Sequence, residues 1–317
     1  MTNYYRDEVG MNILILGGLG FLGVNITKAL LEKGHLVTVV DSYFPQQIKR
    51  LDGCRYIVSD FKCLNSISTE FDNIDTVIHL ISTTLPATSN DDIDKDISTN
   101  LLGTIELLRL CVERGVGRVI FSSSGGTIYG IPKTIPIPET HITDPICSYG
   151  IVKLSIEKYL QLFYRLYGLD YYILRVSNPY GPYQNYRGKQ GSIGVFTWKL
   201  LHDEPIEIWG DGSVIRDYIY IEDVANAFVI AVSSEENPIK TYNIGSGKGY
   251  SINDIIKEIK SVLQKTPTIK YLPGRNIDVP VNILDVSLAN THLGWSAETS
   301  ISEGIKKTAE FIKALKG

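Results

Sequence analysis

Residues 12–23 read NILILGGLGFLG, an apolar run that leads straight into a glycine-rich turn. The run predicts a buried strand, and the apolar stretch after the glycines, which ends near Leu31, predicts a helix. Residues 37–41 (VTVVD) predict a second strand with an acidic residue at its tip. Glycines at positions 17, 20 and 23 let the backbone approach a pyrophosphate at the N-terminus of the helix. Together these features predict a dinucleotide-binding unit, whereas a tight turn that binds nothing would not need the whole set.

The acidic residue at the tip of the second strand, Asp41, also selects the cofactor. A carboxylate there can accept hydrogen bonds from an adenosine ribose, and it repels a 2'-phosphate. The residues that follow, Ser42-Tyr43-Phe44, offer no arginine to bind such a phosphate. The sequence therefore predicts NAD rather than NADP.

The composition is that of an ordinary globular chain of 317 residues, of which 44% are hydrophobic and 21% charged. The net charge of −4 gives no indication of nucleic-acid binding. No apolar run approaches the roughly 20 residues of a membrane-spanning helix, and residues 1–10 lack the apolar core of a signal peptide. The four cysteines and five histidines lack the spacing of a disulfide framework or a metal site. We expect reduced thiols, a cytoplasmic location and no metal.

Strand-like and helix-like segments alternate through the first half of the chain. Strands are predicted at residues 55–58, 75–81, 118–122 and 171–176, and helices at about 97–114 and 149–167. This alternation predicts an α/β fold with a Rossmann-type, doubly wound parallel sheet. After a turn-rich break at residues 178–182 (NPYGP) the elements become shorter and mixed. We predict an NAD-binding domain at 11–177 and a smaller, mixed α/β substrate-binding lobe at 178–317, some segments of which return to the first domain. The ligand cleft should lie between them.

Tyr149 and Lys153 are four residues apart at the start of the helix predicted at 149–167, so they share one face. A phenol with a pKa near 10 is a poor base at neutral pH, and a neighbouring ammonium group favours the phenolate. We therefore expect Lys153 to lower the pKa of Tyr149, which becomes a candidate general base. A second pair with this spacing, Tyr129 and Lys133, is interrupted by Pro132 and cannot lie on a helix.

Small hydroxyl residues end the strand that precedes this helix, in the run FSSSGGTIYG at residues 121–130. Hydroxyl groups at a strand end that faces a cleft are well placed to contact a reacting oxygen. The alternative is that small residues simply close the strand.

The chain resembles the extended short-chain dehydrogenases/reductases, within the NAD-dependent sugar-nucleotide epimerase/dehydratase group, and most of all the UDP-glucose 4-epimerase type. The resemblance runs from Met11 to the C-terminal helix. The motifs that carry it are residues 17–23, Asp60-Phe61, residues 100–104, the serine run, Tyr149 to Lys153, residues 175–182 and residues 210–224.

The resemblance implies a set of NAD contacts. Residues implied at the pyrophosphate, the adenosine and the nicotinamide end are Gly17, Gly20, Phe21, Leu22, Gly23, Asp41, Asp60, Phe61, Leu80, Ser82, Asn100, Ser122, Tyr149 and Lys153. Among these, Asp60 and Phe61 would contact the adenine, and Lys153 would hold the nicotinamide ribose. The segment 80–84 (LISTT) replaces a commoner pair of alanines, so the polarity of the pocket differs from that of many relatives.

The resemblance also implies catalytic and substrate contacts. Tyr149, Lys153 and Ser124 would be catalytic, and the residues implied at the substrate are Thr84, Ser124, Asn178, Ser192, Arg216, Arg275, Asp278 and Asn282. The two arginines would bind the nucleotide diphosphate, for which guanidinium groups are suited. Many relatives carry the active hydroxyl four residues before the tyrosine of Tyr129-Gly130, where this chain has Gly125. Ser123, Ser124 and Thr127 thus all remain candidates.

The implied reaction is inversion at C4 of a nucleotide-activated hexose, through a 4-keto intermediate, with a UDP-hexose as the expected partner. The alternatives are a 4,6-dehydratase, a 4-ketoreductase and, least favoured, a non-catalytic NAD-sensing protein. Dehydratases carry an Asp-Glu pair where this chain has Gly125-Gly126, and a reductase would commonly use NADPH, which Asp41 disfavours. Asn282 occupies a position where some relatives restricted to unacetylated sugars have tyrosine, so N-acetylated hexosamines could fit. The nucleobase and the exact sugar stay open.

Family members commonly form homodimers through the helix before the fifth strand and the helix that carries Tyr149. Ile105, Leu108, Ile156 and Leu160 could supply that face here, although the same stripe could pack inward.

Overall fold

The computed structural model describes residues 10–45, 48–188, 190–235, 237–274 and 279–315. Thirteen strands are assigned in this part of the chain: β1 Asn12–Leu16, β2 Leu36–Asp41, β3 Cys54–Val58, β4 Thr76–His79, β5 Arg118–Ser124, β6 Asp170–Val176, β7 Asn178–Tyr180, β8 Ile206–Trp209, β9 Ile215–Tyr220, β10 Thr241–Ile244, β11 Gly249–Ser251, β12 Ile269–Leu272 and β13 Val281–Asn282.

The α-helices of the same ranges are α1 Phe21–Glu32, α2 Ile93–Asp96, α3 Gly103–Glu113, α4 Ser148–Tyr167, α5 Ser192–Leu201, α6 Ile221–Ser233, α7 Ile252–Leu263, α8 Ser287–Leu293 and α9 Ile301–Ala314. An irregular 3₁₀ segment covers Phe61–Phe71, and a π-helical segment, Ile97–Leu102, joins α2 to α3. No helix of the described ranges has both the length and the apolar character that crossing a bilayer requires.

Seven parallel strands form the main sheet, in the order β10-β6-β5-β4-β1-β2-β3. The strand order reverses direction between β1 and β4, which is the point where ligands bind in open sheets of this kind. The predicted Rossmann-type, doubly wound fold is confirmed. Strand β5 is two residues longer than predicted, because Ser123 and Ser124 continue the ladder opposite Arg175 and Val176.

Apolar side chains leave the two faces of the sheet in alternation and form two clusters. Ile13 and Ile15 of β1 belong to the cluster that includes α1 and α6, whereas Leu14 and Leu16 belong to the cluster under α3 and α4. This alternation follows from the two-residue repeat of a strand. Burial on both faces explains why β1 is a continuous apolar run in the sequence.

The stripe predicted to form a dimer face packs inward instead. Leu108, Ile156 and Leu160 are buried in the cluster between α3, α4 and the sheet, and Ile105 is half-buried. Of the two alternatives left open by the sequence, inward packing is therefore the one observed for this stripe. The outer side of α4 exposes a different apolar set, Ile151 (53%), Leu162 (42%) and Leu166 (60%).

The second half of the chain builds a smaller unit around β9, which we call the C-terminal lobe. Strand β11 pairs with β9 antiparallel, and both β7 and β13 pair with it parallel. Strands β8 and β12 form a separate parallel pair, and helices α5, α7 and α9 pack on one another. Strand β10 from this half of the chain joins the main sheet beside β6. The division at residues 177 and 178 stays a prediction.

Three charges join the strands of the main sheet at the end opposite the cleft. Asp170 at the start of β6 accepts a hydrogen bond from Arg118 Nε at 2.7 Å and one from Lys240 Nζ at 2.6 Å. Burial alone would raise the pKa of Asp170, but the bonds from Lys240 and Arg118 outweigh it and lower the pKa.

We predict that Asp170→Asn lowers the free energy of unfolding by about 2–3 kcal/mol at pH 7, because two largely buried cations lose their counter-charge. A lowered carboxyl pKa stabilises the folded protein above the ordinary aspartate pKa of about 3.9, and this contribution disappears as the pH falls through the folded-state value. Urea unfolding at pH 7 and at acid pH should therefore show a difference between the proteins that narrows in acid. Asp203→Asn, which breaks an exposed pair with Lys265, is the control and should change little. An equal difference in unfolding free energy between wild type and Asp170→Asn at both pH values would contradict a lowered pKa of Asp170.

Candidate functional site

The glycine turn lies at the carboxyl end of β1 and is held by backbone contacts. Gly17 has a φ of +82°, and its N–H donates to the Val40 carbonyl at 2.9 Å. Gly23 packs so closely on the turn that an added Cβ would lie 2.5 Å from the Gly17 carbonyl oxygen. Gly20 is exposed, and an added Cβ there would meet only that oxygen, at 3.3 Å. The turn thus closes tightly on its inner side and leaves Gly20 accessible.

The N-terminus of α1 has the properties of a phosphate site. Gly20 is its N-cap, no side chain of the described residues caps it, and its first turn carries no acidic residue. The unpaired N–H groups and the positive end of the helix dipole favour an anion there. Asp41 borders the turn, because its carboxylate accepts the Leu19 N–H at 3.0 Å and the Ser42 N–H at 2.8 Å. These residues fit the pyrophosphate and ribose of NAD.

The residues implied at the adenine follow β3 in the chain and open the 3₁₀ segment. Asp60 is exposed and caps the 3₁₀ segment by accepting the Lys62 N–H at 2.9 Å. The ring of Phe61 is buried against His79, with 5.3 Å between the ring centroids. An added Cβ at Gly103 would lie 2.7 Å from this ring, so the Phe61 ring is closely packed against the backbone at Gly103. Contact of Asp60 and Phe61 with adenine stays a prediction.

A hydroxyl-rich loop follows β4 at the centre of the carboxyl edge. The Leu80 N–H donates to the Leu16 carbonyl at 3.0 Å, which extends the pairing of β4 with β1. Asn100 fixes the loop, since its Oδ1 accepts the Thr83 N–H at 2.9 Å. Ser82 donates to the Thr84 carbonyl at 3.1 Å, and the Thr84 hydroxyl donates to Asp96 at 2.7 Å. Leu80, Ser82, Thr84 and Asn100 are thus brought together on one wall.

Lys153 lies buried between α4 and the end of β5. Its Nζ donates to the Ser122 carbonyl at 2.8 Å, and it lies 4.6 Å from the centroid of the Phe121 ring and 5.6 Å from that of Tyr149. Burial lowers the pKa of Lys153 to about 8, although the negative charges of Asp96 and Glu157 act to raise it. The spacing of Tyr149 and Lys153 in the sequence therefore does bring the two side chains together.

The prediction that Lys153 lowers the pKa of Tyr149 is wrong as a net effect in this structure. Burial raises the pKa of Tyr149 to about 12, the charges of Cys147 and Asp96 add to that effect, and only a hydrogen bond with Ser82 opposes it. The Lys153 ammonium is bonded to the Ser122 carbonyl rather than to the phenol oxygen.

The three candidate hydroxyl groups have different surroundings. Ser123 donates to Glu157 Oε1 at 2.5 Å and faces the core below α4. The Thr127 hydroxyl is buried without a hydrogen-bond partner in the described ranges. Ser124 is half-buried at the tip of β5, and its hydroxyl is not bonded to any residue that the structure describes. The geometry therefore favours Ser124.

The implied substrate residues of the C-terminal lobe cluster on β7, β9 and the start of α5. Asn178 Nδ2 donates to the Asp217 carbonyl at 2.9 Å, and the hydroxyl groups of Ser192 and Tyr218 lie 3.0 Å apart. Arg216 donates to the carbonyl oxygens of Ile215 and Val279, at 2.9 and 2.6 Å. Arg275 and Asp278 lie outside the described residues. A role of any of these residues in substrate binding stays a prediction.

Asn282 lies on β13 opposite Arg216, but its side chain is turned toward the main sheet. It is 1% exposed, and its Nδ2 donates to the Gly125 carbonyl at 3.1 Å, directly after Ser124. Its Oδ1 is buried without a partner in the described ranges. Asn282 therefore supports the turn after β5, and its contact with a substrate stays a prediction.

Two buried carboxylates of the site were not predicted from the sequence. Asp96 stands at the end of the acidic stretch DDIDKD, residues 91–96, which is typical of a solvated surface, so only the fold shows that it is buried. Glu157 is four residues after Lys153 on α4, and that spacing could have indicated it. It accepts bonds from Arg175 at 3.1 and 2.7 Å as well as from Ser123.

Comparison with known proteins agrees with this geometry. A model of the "NAD dependent epimerase/dehydratase family" matches residues 13–245. The chain belongs to that family. A UDP-glucose 4-epimerase from Mycolicibacterium smegmatis is 30% identical over 311 residues, which cover 96% of this chain and 99% of the relative. A dTDP-4-dehydro-6-deoxyglucose reductase from Escherichia coli is 34% identical over 310 residues, which cover 95% of this chain and 97% of the relative.

Solved structures extend the likeness to the whole fold. The crystal structure of the UDP-glucose 4-epimerase of Thermotoga maritima with UDP-glucose is 36% identical, with a TM-score of 0.91, and the match covers 97% of this chain and 100% of that one. The predictions of an extended short-chain dehydrogenase/reductase with NAD as cofactor are confirmed, as is the enzyme class of nucleotide-sugar 4-epimerases.

Two glycine substitutions should separate stability of the turn from cofactor binding. Gly23→Ala places a Cβ against backbone atoms that cannot yield, so we expect a loss of about 1–3 kcal/mol in the free energy of unfolding together with weaker NAD binding. Gly20→Ala brings its Cβ to 3.3 Å from one atom, the Gly17 carbonyl oxygen, so we expect a smaller loss of stability than for Gly23→Ala but weaker NAD binding, because the substituent stands at the N-terminus of α1. Urea unfolding and titration calorimetry with NAD measure the two effects. Normal NAD affinity of Gly20→Ala would contradict a pyrophosphate at this turn.

Proposed function

We propose that the protein inverts C4 of a UDP-activated hexose, of the UDP-glucose and UDP-galactose type, by reversible oxidation. The observation that carries this proposal is the convergence of Tyr149, Lys153 and Ser124 at the same edge of the sheet as the glycine turn. When bound, NAD supplies a hydride acceptor for C4, a hydride donor for the return step, and a positively charged nicotinamide ring.

Tyr149 accepts the proton of the 4-hydroxyl group, and Ser124 donates a hydrogen bond to the same oxygen. At pH 7 a phenol with a pKa of about 12 is ionised in only about one molecule in 10⁵. The ammonium of Lys153 and the positive charge of the cofactor are the groups that can stabilise the phenolate when the site is filled. Ser82, on the opposite wall, lies within hydrogen-bonding reach of Tyr149, and this contact lowers the pKa of Tyr149.

The C-terminal lobe anchors the nucleotide while the sugar turns. Arg216 and Arg275 bind the diphosphate, and Asn178 and Ser192 line the same end of the lobe. Holding the nucleotide keeps the 4-keto sugar in the cleft between the two hydride transfers. Support for uridine as the base comes from the names of the relatives and of the neighbour with UDP-glucose. Because Asn282 is small and turned away from solvent, we propose that N-acetylated hexosamines also fit.

The structure gives a physical reason against dehydration. A 4,6-dehydratase needs acidic side chains after the active hydroxyl, but an added Cβ at Gly125 would lie 2.5 Å from the Leu284 side chain and 3.0 Å from the Arg175 carbonyl. Reduction of a 4-keto sugar is a second candidate, because a relative of 34% identity is named as such a reductase. A reductase would consume one reduced cofactor for each turnover, whereas an epimerase consumes none.

Incubation of the enzyme with UDP-glucose, followed by separation of the nucleotide sugars, tests the proposal. We expect UDP-galactose to form without net production of NADH, and UDP-N-acetylglucosamine to give its C4 epimer. A 6-deoxy-4-keto product would favour the dehydratase. Turnover only of a 4-keto sugar with added NADH or NADPH would favour the reductase. If the enzyme acts on UDP-glucose but not on UDP-N-acetylglucosamine, the proposal that N-acetylated hexosamines also fit would be contradicted.

Replacement of Tyr149 by Phe should lower kcat by about 10²–10⁴-fold, because the general base is lost while the ring remains. Bound NAD should stay at the normal level, which absorbance of the denatured supernatant measures. Tyr159→Phe on the same helix is a matched control and should keep normal turnover. Near-normal turnover of Tyr149→Phe would exclude the phenol as the base.

We also propose that the enzyme is a homodimer through the outer side of α4. Ile151, Leu162 and Leu166 form an exposed apolar stripe about one to three helical turns apart, which a second copy could cover. Light scattering should give the mass of two chains, and Leu162→Glu should give that of one. A monomeric wild-type protein would refute this proposal without affecting the proposed chemistry.

A further inference from the structure

The N-terminus of the catalytic helix α4 is capped by a distant segment of the chain. Cys147, the residue at the N-cap position, makes no side-chain cap bond. Instead the Ser148 N–H donates to Asn90 Oδ1 at 2.9 Å, and the Tyr149 N–H donates to Ser89 Oγ at 3.0 Å. Residues 82–96, which carry the hydroxyl-rich wall of the cleft, thus hold the backbone of the catalytic tyrosine.

Asp96 is the point where this segment and α4 are joined. Its side chain is fully buried, at 0% exposure. Its carboxylate accepts the hydroxyl groups of Thr84 and Ser148, each at 2.7 Å, and the amide of Asn100 at 2.8 Å. These donors come from the loop after β4, from the start of α4 and from the π-helical segment. All three groups donate, so the carboxylate oxygens of Asp96 act only as acceptors here.

The π-helical segment places Asn100 for this contact. It begins directly after Asp96, and the Asn100 side chain reaches back to Asp96 while its Oδ1 holds the Thr83 N–H. Wide turns of this kind occur frequently at functional sites. Asp96 therefore belongs to a built arrangement rather than to the exposed acidic surface that its sequence neighbours form.

The charge of Asp96 acts on both catalytic groups. Asp96 and Glu157 each raise the pKa of Lys153, and Asp96 also raises that of Tyr149. Glu157 is already paired with Arg175 at 2.7 Å, whereas Asp96 makes no ion pair in the ranges that the structure describes. Asp96 thus brings a buried negative charge to the site that no cation neutralises at salt-bridge distance.

We propose that Asp96 is a positioning residue of the reaction, which locks the start of α4 to the Thr84 wall and stabilises Lys153 as an ammonium. The proposal rests on the proposed epimerase function. Because Asp96 is fully buried, it acts through the residues that it contacts. It fixes the distance between the Tyr149 phenol on α4 and the opposite wall, and a displacement of about 1 Å at such a site can lower turnover about 10²-fold.

Asp96→Asn in the full-length enzyme with NAD tests both parts. We expect kcat to fall about 10–100-fold, with KM for UDP-glucose little changed. Since Asp96 raises the pKa of Lys153 and of Tyr149, its neutralisation should move both limbs of the kcat profile to lower pH. The other ionisable groups that face this pair are Cys147 and Glu157 on α4, His79 on β4 and Arg175 on β6, and the variant leaves all four in place. A purely structural defect would lower kcat equally at every pH.

Two variants serve as controls. Asp94→Asn removes an exposed carboxylate two residues earlier and should leave kcat and its pH profile unchanged. Ser148→Ala removes one hydrogen bond but keeps the charge of Asp96, so kcat should fall several-fold without a shift of the profile. If Asp96→Asn does not fold, kcat of Ser148→Ala tests the proposal instead. A normal kcat in that variant would overturn the proposal. The proposal would also be overturned if Asp96→Asn folds and its kcat depends on pH as in the wild type, or if its kcat falls by the same factor at every pH.

A substrate-independent measurement separates this proposal from the proposed function. Ultraviolet difference titration of each protein against its Tyr149→Phe counterpart follows the ionisation of Tyr149 alone. We expect this ionisation at lower pH in Asp96→Asn than in the wild type, whether or not UDP-glucose is the substrate. An unchanged titration would refute the electrostatic part even if the enzyme epimerises UDP-glucose.

Discussion

A buried ammonium group holds the centre of the site together. An isolated charge is unstable out of water, so Lys153 can remain charged at the end of β5 only if its surroundings compensate it. The Ser122 carbonyl, the rings of Phe121 and Tyr149, and the charges of Asp96 and Glu157 do so together. These groups come from β5, from α4 and from the segment that follows β4. The charge of Lys153 is therefore stable only when all three elements are in place, which couples the fold to the proposed chemistry.

A polar network beneath the serine strand fixes the other side of the site. Arg175 on β6 binds Glu157 at 2.7 Å and the Tyr129 hydroxyl at 2.9 Å, and Tyr129 in turn donates to Asn243 on β10 at 2.7 Å. Every link joins a different element, and buried networks whose members are all satisfied are rigid. Because Ser123 is bonded into this network, the strand can present only Ser122 and Ser124 at its other face.

Local rules in the sequence were enough to predict the fold and the residues that form the centre of the site. The glycine turn, the strand–helix alternation and the Tyr149–Lys153 spacing each depend on contacts within a few residues, and the structure agrees with all three. The failures concern properties that depend on distant groups. Leu108, Ile156 and Leu160 repeat as on any amphipathic helix, and periodicity does not say whether such a stripe meets the sheet or a second chain. Likewise, spacing brought Lys153 to Tyr149, but the net effect on the phenol depends on burial and on Asp96.

The glycine in place of the usual active hydroxyl has a physical explanation in the packing of the two lobes. Gly125 lies against Leu284 and the Arg175 carbonyl, so no side chain fits there, and its carbonyl accepts the Asn282 amide at 3.1 Å. Asn282 and Leu284 belong to the C-terminal lobe, and Leu284 also donates its N–H to the buried Asp217 at 3.2 Å. The turn after β5 is thus held by the lobe that carries the implied nucleotide contacts. Ser124 stands directly before this turn, so the position of its hydroxyl group, the one proposed to contact the reacting oxygen, depends on how the C-terminal lobe packs against the main sheet.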